Sequence, residues 1–346
     1  MMNHFRKPLS FLLVVILMLT CIASVTVAEE LPRPEKKEKY TFYFSQRAMN
    51  HPWMVAMTES FQAAAETYAD RVESFTWTDG NDDDADQLKD IEDMLQTKPD
   101  VMFLSAQTFE SLAVVAEMCR ENGTVLIAVD RRINAIPGVD YAFWVGGDYA
   151  DEGRRAAEEI VAKLYETKGE YKGNIVEITG TPGASAAIDR AAGFAAVLEQ
   201  YPDINIITSQ DGNFSRETAM NVMENILQKY PAGEIDGVFT HNDEMAIGIV
   251  EAIEKAGRDE LFGWIVSVDG QVDGIANVIA GKSLATVQCP AGYGELCFEM
   301  ALDYLDGNEV EAETYIPFET FSNRTDELLK RTQEYYDYLI ANHLTY

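Results

Sequence analysis

Short apolar runs, each followed by a segment with helical spacing, recur from Thr41 to Pro317 and constrain the fold more than any other feature. The runs that read as strands are Thr41–Ser45, Ser74–Thr78, Val101–Ala106, Val125–Asp130, Ala142–Gly146, Asn174–Thr179, Ile204–Ser209, Gly237–Thr240, Ile265–Asp269, Ala285–Gln288 and Thr314–Pro317. Between them lie helical patterns. In Met54–Ala69 the residues Met54, Met57, Phe61, Ala64, Ala65 and Tyr68 repeat at three and four. Asp86–Gln96, Phe109–Asn122, Tyr149–Thr167, Ala184–Tyr201, Ser215–Tyr230 and Asp243–Ala256 behave alike, and Gly123 and Gly257 stand where helix C-caps belong. Strand–helix–strand repeats make parallel sheets covered on both faces. Eleven strands overfill one compact sheet of this kind, so the expectation is an α/β chain of two doubly wound lobes.

The first 28 residues stand outside this pattern. Arg6 and Lys7 precede the apolar run Phe11–Leu19, and Thr26-Val27-Ala28 offers a small-residue cleavage site. That is the layout of a secretory signal peptide, so export to the periplasm or cell surface is expected. Cys21 raises the alternative of a lipid anchor, but Thr20 fits poorly where such signals carry a small residue, and cleavage after Ala28 is favoured. Residues 29–39, with two prolines and no apolar rhythm, read as a flexible lead-in.

Charge narrows the function. Past residue 28 there are 25 basic against 58 acidic residues, a formal charge of −33. Such a chain repels phosphate backbones, and no basic patch interrupts it, so nucleic acid is not an expected partner. No later apolar run reaches the ~18 residues of a membrane span. Cys119, Cys289 and Cys297 are an odd set for an exported chain. A Cys289–Cys297 bridge is conceivable, and three buried thiols are favoured.

In doubly wound sheets ligands bind beyond the carboxyl ends of the strands, so the residues just after each run carry the functional signal. They are Ser45-Gln46 leading to His51 and Trp53, then Ser105, Asp130-Arg131, Arg190, Phe214, Asn242, Asp269 and Gln288. Carboxylates accept, guanidinium forks donate, and side-chain amides do both. Aromatic faces suit the C–H faces of a sugar ring. The set fits a polyhydroxylated ligand. Singly each residue has a plainer reading: Asp243 beside Asn242 is expected to cap its helix, Asn242 could form a turn, Phe214 could be core, and Arg190 could be a solvated helix residue.

Other signals are discounted. Gly281-Lys282-Ser283 lacks the first glycine of a phosphate loop, since Ala276 stands there, and reads as a helix end before a strand. The acidic run 81–86 lacks the glycine and glutamate of a calcium loop and reads as a turn and helix start. His51, His241 and His343 are scattered, and no metal or cofactor is expected. Asp130 and Asp269 could be imagined as a glycosidase pair, but adjacent arginines would keep both ionised and leave no general acid.

Several stretches together resemble the periplasmic sugar-binding proteins of ABC importers, the type I ribose-binding group above all. They are Asn50-His51-Pro52-Trp53, Val129-Asp130-Arg131, Gly183 to Ala187, Asp189 to Phe194, Asn242-Asp243-Glu244-Met245-Ala246, Val268-Asp269-Gly270 and Ala285 to Gln288. The resemblance spans about Tyr40 to Phe318. It implies a hinge-bending binding protein with three crossings between lobes. The N-terminal lobe would be 40–146 plus 289–316, and the C-terminal lobe 147–288 plus 317–346. Asp130 and Arg131 would bind ring hydroxyls from one lobe, Arg190, Asn242 and Asp269 from the other, with Gln288 at a crossing and Phe214 and Trp53 sandwiching the ring. His51, Trp53-Met54 and Ser105 depart from the ribose binders' Asn, Phe pair and Asn, so a pentose, hexose, furanose-form sugar or polyol is expected rather than ribose in particular. The resemblance also implies a monomer whose partners are a permease with its ATPase, or a chemoreceptor or sensor kinase. The tail Thr325–Asn342 runs beyond the family's usual end and reads as an amphipathic helix packed on a lobe.

Overall fold

The structure, a computed structural model, describes residues 31–342 and residue 344. The signal segment 1–28, Cys21 and His343 lie outside the described residues. The chain runs β1 (Tyr40–Gln46), α1 (Pro52–Thr67), β2 (Val72–Asp79), α2 (Asp84–Leu95), β3 (Val101–Leu104), α3 (Val115–Asn122), β4 (Val125–Val129) and β5 (Phe143–Gly146). It continues through α4 (Tyr149–Lys168), β6 (Gly173–Thr179), α5 (Ser185–Leu198), β7 (Ile204–Asp211), α6 (Arg216–Lys229), β8 (Gly237–Thr240), α7 (Asp243–Ala256), β9 (Ile265–Asp269), α8 (Val272–Ile279) and β10 (Ala285–Gln288). It ends with α9 (Gly294–Asp306), β11 (Glu313–Tyr315), β12 (Thr320–Ser322) and α10 (Asp326–Ala341).

These strands form two six-stranded sheets, ordered β11-β5-β4-β3-β1-β2 and β12-β10-β9-β8-β6-β7. Pairing is parallel except between β10 and β12. Central strands are buried along their whole length, as Val125–Val129 is, because helices cover both faces. Among the described residues the chain passes between the sheets three times: after β5, after β10 and between β11 and β12. Gly123 and Gly257 close α3 and α7 in the left-handed conformation, φ 83° and 63°. All three cysteines from residue 31 onward are free and buried.

Three local expectations need correction. The segment Phe109–Asn122 is helical only from Val115, because the Phe109 N–H bonds to the Gly183 carbonyl of the other lobe at 2.9 Å and the Phe109 carbonyl accepts from Asn134. The lead-in is irregular but held: Lys37 pairs with Asp100 at 2.7 Å, and Arg33 lies over the Tyr304 ring at 4.5 Å. Asn242, not Asp243, caps α7, its Oδ1 accepting from the Met245 N–H at 3.0 Å. Asp243 is buried, accepts from the Ser267 hydroxyl and from the Gln271 N–H, and so ties α7 to the end of β9.

Two features position the cleft. Gly153 of α4 and Gly193 of α5 let these helices touch backbone to backbone: a Cβ on either would lie 2.0 Å from the Arg190 carbonyl oxygen or 1.9 Å from that of Ala150. That contact sets Glu152 directly against Arg190. At the hinge, α10 grips two crossings. Tyr335 accepts a hydrogen bond from Gln288 Nε2 at 2.7 Å and stacks on Phe321 at 4.3 Å. Gln288 Oε1 accepts from the Glu319 N–H at 3.3 Å, and Glu319 pairs with Arg331 at 2.9 Å.

Candidate ligand site between the lobes

The ends of strands from both sheets converge on one cavity. The first lobe supplies Arg47 just after β1, His51, Trp53 and Met54 where α1 begins, and Asp130-Arg131 at the end of β4. The second supplies Ala186 and Arg190 from α5, Phe214 after β7, Asn242 after β8 and Asp269 at the end of β9, with Cys289 at the crossing. Eight of the ten residues expected from sequence therefore meet here. The other two do not line the cavity. Ser105 is buried behind Asp130 and donates to its Oδ2 at 3.2 Å. Gln288 turns its amide to Tyr335 and Glu319. Arg47, Met54, Ala186 and Cys289 line the cavity without having been expected. Arg47 follows the same strand-end rule as Asp130, and counting one residue further past Gln46 finds it.

The backbone is constrained where the ligand-facing groups sit. Asp130, Phe214 and Asp269 have φ of 60°, 56° and 122°, values that side-chain-bearing residues adopt rarely and at a cost. Phe214 keeps its place because Gly180 leaves room beneath its ring. The ring faces two guanidiniums, Arg131 at 5.2 Å and Arg190 at 6.0 Å from its centroid. Trp53 commits its indole N–H to the Cys289 carbonyl at 2.7 Å, so it has only an apolar face to offer.

Each charged side chain is held by a partner behind it. Asp130 accepts from Tyr149 at 2.6 Å and from Ser105. Arg131 donates to the Gln107 carbonyl, leaving Nη2 buried without a partner. Arg190 donates to Glu152 and to the His241 carbonyl, both at 2.7 Å, and its Nη2 lies 3.8 Å from Asp269. Burial lowers the Arg131 pKa to about 9, helped by the like charge of Arg47. Burial raises that of Asp269 against the pull of Arg190, with Asp243, Glu152 and Asp130 adding to the rise.

The space between these side chains, counted with the solvent open to it, is about 300 Å3. The lobes also meet directly, outside the cavity lining. The Phe109–Gly183 backbone bond is joined by one from the Arg132 N–H to Ser185 Oγ at 2.9 Å. These contacts tie the two lobes to each other, an arrangement that a hinge motion would open.

Comparison with known proteins agrees with this geometry. The model of the periplasmic binding protein domain matches residues 42–309. A ribose import binding protein of Bacillus subtilis is 32% identical over 276 residues, 80% of this chain and 85% of that protein. The galactofuranose-binding protein of Escherichia coli is 31% identical over 253 residues, covering 72% and 76%. Among solved structures, the periplasmic component of the arabinose ABC transporter from Shewanella, bound to α- and β-L-arabinofuranose, aligns with TM-score 0.77 at 28% identity over 86% of this chain and 94% of that one. The fructose-binding periplasmic domain of a hybrid two-component system aligns with TM-score 0.76 at 25% identity, covering 88% and 97%.

Proposed function

The chain belongs to the periplasmic binding protein domain family, and from that premise we propose that it captures one monosaccharide between its lobes as the exported binding component of an ABC importer. It performs no chemistry. The observation that carries this reading is the pairing of Asp130-Arg131 from one lobe with Arg190, Asn242 and Asp269 from the other around the Phe214 ring. Each lobe alone presents half of a hydroxyl-reading set. A sugar bound to both halves stabilises closure by its differential contacts, and the closed form is what a permease recognises. The furanose ligands of the arabinose and galactofuranose binders support a five-membered ring form. The basic and apolar start of the sequence supports export with cleavage after Ala28, which N-terminal sequencing of the secreted protein tests.

A thermal-shift screen of the protein from residue 29 against pentoses, hexoses, polyols and nucleosides tests the reading. At 100 times its dissociation constant a ligand adds ~2.7 kcal/mol. One or two sugars raising the midpoint by several degrees supports sugar capture, and a folded protein that no sugar shifts refutes it. The fructose-binding domain of the two-component system favours a second reading, in which the closed form signals to a membrane sensor. Sugar-dependent retention by a permease or by a sensor kinase in membrane pull-downs separates the two.

A further inference from the structure

The wall of the cavity nearest β1 carries more hydrogen-bonding nitrogen than a pentose ring needs. Arg47 is 4% exposed, lines the cavity, and its Nε has no hydrogen-bond partner. Its nearest carboxylate oxygens, on Asp82 at 3.6 Å and Asp130 at 3.9 Å, balance its charge without reaching hydrogen-bond length. His51 lines the same wall with both ring nitrogens buried and unpartnered. Burial, with Arg47 and Arg131 beside it, lowers its pKa to about 3, so the ring is a neutral imidazole with one donor and one acceptor. Buried unpaired groups of this kind are costly unless a ligand completes them.

A neutral hydroxyl has the chemistry for both, accepting from Arg47 Nε and pairing with one imidazole nitrogen of His51. A carboxylate does not. Arg47, Arg131 and Arg190 already face four carboxylates, those of Asp82, Asp130, Asp269 and Glu152, so a further anion would be buried without a free counter-charge. Asp130 with Arg131, and Asp269 with Arg190, suffice for the ring hydroxyls. We infer that Arg47 and His51 form a subsite for the terminal hydroxyl of a hexose's exocyclic arm, and that they set a preference for the hexose over the pentose lacking that carbon. The inference rests on the reading of the cavity as a monosaccharide site.

Two sugar series vary the arm while keeping the ring stereochemistry: D-galactose, D-fucose (6-deoxygalactose) and L-arabinose, and D-allose with D-ribose. Titration calorimetry on the wild type, Arg47→Met and His51→Phe reads the ratio within a series. In the series that binds, the wild type is expected to hold the hexose at least about tenfold tighter than the pentose, with D-fucose tracking the pentose. In each variant that ratio collapses to within about threefold, whichever way the absolute affinities move. Equal wild-type affinity for hexose and pentose, or a ratio that survives both substitutions, overturns the inference while sugar binding stands. Tighter binding of D-galacturonate than of D-galactose overturns the neutral-hydroxyl assignment. No binding of any sugar overturns the monosaccharide reading along with it.

Discussion

Gly180→Ala is the substitution that most directly tests the aromatic floor of the cleft, because it alters no group able to touch a ligand through a polar atom. A Cβ at this position would lie 2.0, 2.2 and 2.4 Å from the Cζ, Cε2 and Cε1 atoms of Phe214. Ordinary carbon contact is about 3.5 Å, so the ring must retreat by ~1.5 Å. Its way out leads into the cavity, towards Arg131 and Arg190. In the free protein that movement relieves most of the clash, and the stability cost should sit near the low end of overpacking, about 1 kcal/mol, or a few degrees in Tm. With a sugar bound the escape route is filled. The bound form then carries the larger share, up to ~3 kcal/mol against ~1 in the free protein, and the difference of up to ~2 kcal/mol should raise Kd by as much as ~30-fold. Differential scanning fluorimetry gives the first quantity and titration calorimetry the second. A double cycle with Phe214→Ala adds the control: once the ring is gone, Gly180→Ala should cost almost nothing further. A lowered Tm with Kd unchanged within twofold would refute the ring as a ligand platform. Unchanged values of both would refute the contact itself.

Other consequences are as direct. Glu152→Gln breaks a fully buried pair with Arg190, whose remaining carboxylate is 3.8 Å away, and should cost ~3 kcal/mol in urea unfolding together with weaker sugar binding; a cost under about 1 kcal/mol would show Asp269 to be the true partner. Tyr149→Phe removes the hydroxyl that orients Asp130 and should raise Kd ~5- to 10-fold with little change in Tm; unaltered affinity would show that Asp130 needs no such support. His51 has its pKa depressed from 6.5 to about 3, so the unfolded chain takes up the proton first. Stability owed to this residue is therefore present above pH 6.5 and lost as pH falls from there towards 3, and His51→Phe should flatten that part of the acid slope in Tm. An identical slope in the variant would mean that the ring takes up its proton as readily in the folded protein as in the unfolded chain. Tyr335→Phe leaves Gln288 Nε2 without its partner and should lower Tm by a few degrees, about 1 kcal/mol, while a neutral effect would make that hydrogen bond dispensable.

The alternation of apolar runs with helical spacing was enough to place eleven of the described strands, because buried parallel strands and amphipathic helices write different periods into the chain. It failed where length or context overrode period. β12 has three residues and exists only by pairing with β10. The α9 helix hides its face in Cys297, Phe298, Ala301, Leu302 and Leu305, a readable pattern obscured by Pro290, Gly292 and Gly294 before it. Most of the site was legible because it obeys one geometric rule, the strand end, and Arg47 shows the rule reaching one residue further than it was applied. Gln288 shows its limit. Position along a strand tells where a side chain starts, and only packing against α10 tells that its amide is already engaged.

That engagement bears on mechanics. Three separate ribbons joining two bodies would permit twisting and sliding as well as bending. Here Gln288 on the second ribbon and Glu319 on the third are fastened to each other and to α10. Two ribbons thus move as one plate, opposed by the single strand of chain at Gly146 and Gly147. A linkage with one plate and one strap keeps bending as its softest motion. The lobes should swing along one nearly fixed arc, returning Asp130 and Asp269 to the same mutual placement at every closure.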